Sequence, residues 1–198
     1  MDEKNLSIIV IKSEMSSSFY ETLMSVCRQL NYNDNIEVIL ADAVDGTAYE
    51  LCRKYGEDDN TLLLDKVRFV DISSQIFENM AQIKNEAVKY ATNRRVLILT
   101  DNQILQEGII EKCLLTDRIE VSDDELKSYY NPGTDAFSYL VADRDMFSSI
   151  GGWNSGLACN EDYELFIRAC NYNCHDKFYP IYSDEYKYPV FKETFLVC

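Results

Sequence analysis

Short unbroken apolar runs alternate along the chain with stretches in which apolar residues recur every three or four positions. The run LSIIVIK at 6–12 predicts a strand buried on both faces, after which Phe19, Leu23, Val26, Cys27 and Leu30 line one helical face. IEVILAD at 36–42 predicts a second strand, and Ala48, Leu51, Cys52 and Tyr55 a helix that Gly56 ends. KVRFVDI at 66–72 is the third strand. Ile76, Met80, Ile83, Ala87 and Tyr90 form the next helical stripe, and RVLILTD at 95–101 is the fourth strand. A further helix is expected near 104–114, a strand over AFSYLVAD at 136–143, a short helix over RDMFSSI and a longer one from Asn160 to Cys170. Between them TDRIEVSDDELKSYYNPGTD is acidic and rich in turn formers. With Asn131-Pro132-Gly133 as its turn signal, it reads as a flexible loop.

Strands and helices alternating at this spacing imply right-handed βαβ crossovers, hence an α/β fold with a mostly parallel sheet covered by helices on both faces. A chain of 198 residues suits a single domain over 1–198 with a sizeable core.

Composition narrows the function classes. The formal net charge is -15, and no basic cluster is longer than Arg94-Arg95, so the positive footprint of a nucleic-acid surface is missing. The apolar runs are too short to span a bilayer, and the N-terminus is acidic ahead of its first apolar stretch, unlike a signal peptide. Cysteines number 7, an odd count, and several fall on apolar helix faces, which favours reduced thiols and a cytoplasmic setting. Cys170, Cys174 and His175 lack the paired spacing of a zinc site.

Candidate chemistry begins at the strand ends. In a parallel sheet the carboxyl ends of the strands face the ligand, and Asp42, Asp71 and Asp101 stand at or beside three of them. Aspartate also favours strand exits as a turn former or helix cap, so each of the three has a purely structural alternative. The chain lacks the glycine-rich fingerprints of dinucleotide-binding and P-loop proteins, and His175 alone cannot complete a hydrolase triad. A second stretch, IGGWNSGLACNEDYELFIRA at 150–169, combines Gly151-Gly152, the flat indole of Trp153 and the pair Glu161-Asp162 at a helix start. That pair suits the helix dipole, and it equally suits a sugar site in which a carboxylate deprotonates a hydroxyl.

These segments resemble the family 2 glycosyltransferases of GT-A fold. GGWNSGLACNEDYELFIRA is similar to the family's GGW…ED segment, and QIKNEAVKYATNRRVLILTDNQ to its RN helix followed by a strand and a D-x-D. LSIIVIKSE resembles the first strand, and IEVILADAVDGT the nucleotide-binding second strand, in the expected order over most of residues 6 to 182. The resemblance implies an inverting transfer of sugar from a nucleoside-diphosphate sugar to an acceptor hydroxyl, on a saccharide or another acceptor. It implies that Asp42 contacts the base of the nucleotide, that Asp101 lies near ribose and diphosphate, and that Lys84 and Asn85 match the RN pair on the nucleotide-sugar side. Asp162 matches the general base and Glu161 its adjacent partner, while Trp153 and Gly152 lie on the acceptor side. By the same resemblance, Asp101 and Gln103 fall where a divalent cation, Mn²⁺ or Mg²⁺, is held.

The departures fall mainly on the donor side. Lys84 stands where the family has arginine, keeping charge but losing a bidentate fork. The D-x-D reads Asp101-Asn102-Gln103, and an amide is a poorer ligand than a carboxylate for a hard divalent ion. A glycosyltransferase-like domain that binds a sugar, a nucleotide or a protein without catalysis is therefore the alternative expectation.

Overall fold

The computed structural model describes residues 5–30, 35–56, 64–101, 103–115, 140–157 and 161–171. Five strands, β1 (Leu6–Lys12), β2 (Ile36–Asp42), β3 (Val67–Asp71), β4 (Arg95–Thr100) and β5 (Leu140–Asp143), form one sheet in the order β3-β2-β1-β4-β5. The first four are parallel, and β5 runs antiparallel beside β4. Between and after them come α1 (Ser18–Cys27), α2 (Ala48–Gly56), α3 (Met80–Ala87), α4 (Ile109–Leu115), α5 (Arg144–Ile150) and α6 (Glu161–Asn171).

Strand alternation divides the core into two layers. Ile9, Ile11, Ile39, Ala41, Val96, Ile98 and Ala142 pack on one face with Ile83 of α3, Phe147 of α5 and Leu165 of α6. Leu6, Ile8, Val10, Val38, Leu40, Leu97 and Leu99 pack on the other with Leu23 of α1, Cys52 of α2 and Ile110 of α4. All seven residues of β1 are buried, as a central strand between two helical layers requires. The expected α/β fold with a mostly parallel, doubly covered sheet is therefore the observed one.

Two boundaries differ from the sequence reading. The stripe begun at Ile76 does not start a helix there: Asn79 caps α3, its side chain accepting from Gln82 N, and Ile76 is 95% exposed. The helix expected from 104 begins at Ile109, after a turn in which Gly108 has φ +80°. The acidic turn-rich segment 116–135, the first part of the strand expected at 136–143, and Cys174 and His175 lie outside the described residues.

Candidate active site

Each strand-end aspartate is anchored by groups from its own neighbourhood. Asp42 ends β2 directly opposite Lys12 at the end of β1. Its Oδ2 accepts from Lys12 Nζ at 3.1 Å and from Ala48 N at 2.9 Å, and its Oδ1 from Val44 N at 2.9 Å and Asp45 N at 3.2 Å. The carboxylate thus caps the turn into α2 and neutralises a lysine that is 1% exposed. Lys12 also donates to Asp45 and, at 3.3 Å, to Thr47 Oγ1, while lying 5.6 Å from the centre of the Phe19 ring. The hydrogen bond from Lys12 is the main cause that holds the Asp45 carboxyl down at about 2.

Asp101 plays a similar part between β4 and β1. Its Oδ2 accepts from Ser13 N at 2.8 Å and Glu14 N at 3.0 Å, and its Oδ1 from Ser13 Oγ at 2.5 Å. Gln103 folds back on its own strand, where its Oε1 accepts from Thr100 N at 2.7 Å. Asp71 is exposed and accepts from Ser73 N and Ser73 Oγ, bonds that lower its pKa, the hydroxyl first. Its carboxylate lies so close to Gly46 that a Cβ there would fall 2.7 Å from Oδ2.

The RN-like pair joins α3 to Trp153 and to the first turn of α6. Lys84 Nζ donates to Asp162 Oδ1 at 2.8 Å, to Asp162 Oδ2 at 2.7 Å and to Glu161 Oε1 at 3.0 Å. Asn85 holds the backbone of Trp153 on both sides, donating from Nδ2 to Trp153 O at 2.8 Å and accepting at Oδ1 from Trp153 N at 2.8 Å. This close approach explains the neighbouring glycine. Gly152 has φ +69°, and a Cβ on it would fall 2.2 Å from Asn85 Oδ1.

Trp153 does not offer the open indole face expected from the sequence. It is 1% exposed and stacks on Phe147 with ring centres 4.5 Å apart, because α5 brings Phe147 over it. Its polar edge is used instead, Nε1 donating to Asp162 Oδ1 at 2.7 Å. The structure thus gathers Lys84, Asn85, Gly152, Trp153, Glu161 and Asp162 into one cluster, and places Asp42 and Asp101 at the strand ends with other partners. Lys12 was missed by the sequence reading; its signal was a lysine closing the buried, largely aliphatic strand LSIIVIK.

At the D-x-D position the oxygens that would hold a divalent cation already accept hydrogen bonds, Asp101 from Ser13 and Glu14 and Gln103 from Thr100 N, and Asn102 lies outside the described residues. Among the described residues, no three His, Cys, Asp or Glu side chains group as metal ligands do. Likewise among them, no helix is long and apolar enough to cross a membrane.

No family model and no curated protein matches the chain by sequence. Solved structures do match by fold. A mannosyltransferase from Pyrobaculum calidifontis, PcManGT, in complex with GDP-Man and Mn2+, aligns with TM-score 0.61 and 14% identity over 91% of this chain and 55% of its own. S. aureus TarS 1-349 aligns with TM-score 0.58 and 13% identity, over 83% of this chain and 55% of that one. Its complex with UDP-GlcNAc gives TM-score 0.59 and 14% identity, over 83% and 53%. The chain spans about half the length of these proteins. At such identities the likeness is one of fold: the α/β arrangement described above is shared with these structures.

Proposed function

We propose that the chain carries the transfer chemistry of an inverting, family 2-like glycosyltransferase, acting in the cytoplasm on a nucleoside-diphosphate sugar and an acceptor hydroxyl. The observation that carries this reading is the carboxylate pair Glu161-Asp162 at the first turn of α6, gripped by Lys84 from α3. A carboxylate held in a fixed place can remove the acceptor proton as the oxygen attacks the anomeric carbon, and the nucleoside diphosphate leaves from the opposite side. Solved structures of like fold bound to GDP-Man and to UDP-GlcNAc support a nucleotide sugar as the donor.

The non-catalytic alternative draws on a different observation: Asp42, Asp101 and Gln103 all spend their acceptor oxygens inside the chain. Calorimetric titration with UDP-, GDP- and dTDP-sugars, with and without Mn²⁺, separates the two readings when paired with assays of donor hydrolysis and transfer. Donor binding with turnover supports the enzyme. Binding without turnover supports the binding domain, and no binding to any donor removes the enzyme reading.

A further inference from the structure

Asp162, in the first turn of α6, has its carboxylate held from two sides. Lys84 Nζ spans both oxygens, 2.8 Å from Oδ1 and 2.7 Å from Oδ2, and Oδ1 also receives the Trp153 indole N–H at 2.7 Å. With Glu161 Oε1 at 3.0 Å, Lys84 meets as many carboxylate oxygens as its ammonium has N–H groups. The indole is itself held. Trp153 is buried against Phe147, and Asn85 grips its backbone N–H and carbonyl at 2.8 Å each. Asn79, at the start of α3, donates to Ser155 O at 2.8 Å and so secures the same segment from α3 a second time. Lys84 Nζ also lies 5.9 Å from the centre of the Trp153 ring, where a cation is attracted to an aromatic face.

The torsion that turns an aspartate carboxylate about its Cβ–Cγ bond is broad, so without fixed donors the group takes many orientations. Here two donors from different elements divide the task. The ammonium meets both oxygens and sets the distance of the carboxylate from α3, and the indole, meeting Oδ1 alone, sets its rotation. Proton removal is fast only when the accepting group stands where the acceptor needs it, and a displacement of about 1 Å can cost about 100-fold in rate. We infer that Lys84 and Trp153 are positioning residues, which hold Asp162 in the one orientation from which it takes the acceptor proton. This inference rests on the transfer reading above and keeps Asp162 as the base. It gives a use to an indole whose ring is closed off in the core. Asn85 belongs to the same device one step removed, because it fixes the tryptophan that fixes the aspartate.

Two measurements test the inference. The first needs no turnover: with isotopically labelled tryptophan, the chain's single Trp gives one indole N–H signal by NMR. That proton should exchange with solvent about tenfold or more slowly than in free N-acetyltryptophanamide. In Asp162→Ala the signal should move and its exchange quicken. Exchange as fast as in the free amide, or a signal that Asp162→Ala leaves in place, overturns the clamp. The second measures transfer with a donor that the wild type turns over, per folded molecule as counted by urea titration. Trp153→Phe keeps an aromatic ring for Phe147 to stack on and deletes the N–H. Its kcat should fall about tenfold or more, with KM for donor and acceptor nearly unchanged. Lys84→Arg, which keeps the charge, should retain more of the rate than Lys84→Met. A purely structural role would leave kcat per folded molecule where it was. An unchanged kcat in Trp153→Phe, or a loss carried by KM instead, rejects the positioning role. A protected indole in a wild type that turns over no donor removes the transfer reading and leaves the clamp as structure alone, whereas an unprotected indole removes the clamp whatever the turnover.

Discussion

Lys12 and Asp42 face each other at the last paired position of β1 and β2, with Nζ 3.1 Å from Oδ2 and side-chain exposures of 1% and 3%. Removing one member of a buried pair leaves the other charge without its counter-ion, a loss of about 3 kcal/mol or more. Lys12→Met should therefore lower stability by that order in denaturant titration. Adding Asp42→Asn should recover part of the loss, because the amide no longer buries a charge. A double variant no more stable than Lys12→Met would show that the pair is not coupled in this way.

Gly152 carries two separable penalties for a side chain. Its φ of +69° makes a Cβ cost about 1–2 kcal/mol, and that Cβ would clash with Asn85 Oδ1, 2.2 Å away from it. Gly152→Ala should thus destabilise by more than about 2 kcal/mol, with a shift in Trp153 emission. In an Asn85→Ala background the clash is gone, and the same substitution should cost only the backbone term. Equal costs in both backgrounds would contradict the contact.

Asp101 holds the start of the β1–α1 turn against the end of β4 through Ser13 and Glu14. Asp101→Ala leaves two backbone N–H groups and a hydroxyl without their acceptor, a cost of about 2 kcal/mol. Because those bonds lie within the chain, the unfolding midpoint of Asp101→Ala should fall by the same amount in EDTA as in Mn²⁺. A loss confined to one condition would point to a metal-linked role for this carboxylate.

Burial pushes the thiols up: Cys27 to about 11, and Cys52 and Cys113 to about 12. Attack on iodoacetamide requires thiolate, which at pH 8 is scarce at these three positions compared with an exposed cysteine near 8.5. In the folded chain their peptides should remain unlabelled, and all three should react once the chain is unfolded. Labelling of any of them at native rates equal to a model thiol would rule out this burial.

Much of the fold was written in periodicity, because a strand buried on both faces must be apolar throughout and polar at its ends. The limits of β1 and β2 coincide with LSIIVIK and IEVILAD for that reason. Ile76 misled because an exposed isoleucine fits a helical stripe as well as a buried one does, and only the Asn79 cap locates the true start. The strand-end aspartates were legible as residues, and so was the local capping of Asp42 by Val44, Asp45 and Ala48 and of Asp71 by Ser73. Their distant partners were not: Lys12 lies 30 positions from Asp42, and Ser13 lies 88 from Asp101. Trp153 shows the same limit: its burial depends on Phe147 stacking over it, a contact set by how α5 leaves β5.

Lys84 and Asn85 are consecutive residues, yet one reaches Asp162, 78 positions on, and the other reaches Trp153, 68 positions on. Together with the β4–β5 pairing and the bonds from Arg144 to the carbonyls of Ala91 and Thr92, they rivet the early part of the chain to the late part. The carboxylate pair is therefore tied to α3 across a wide gap in sequence, and a change in α3 reaches it directly.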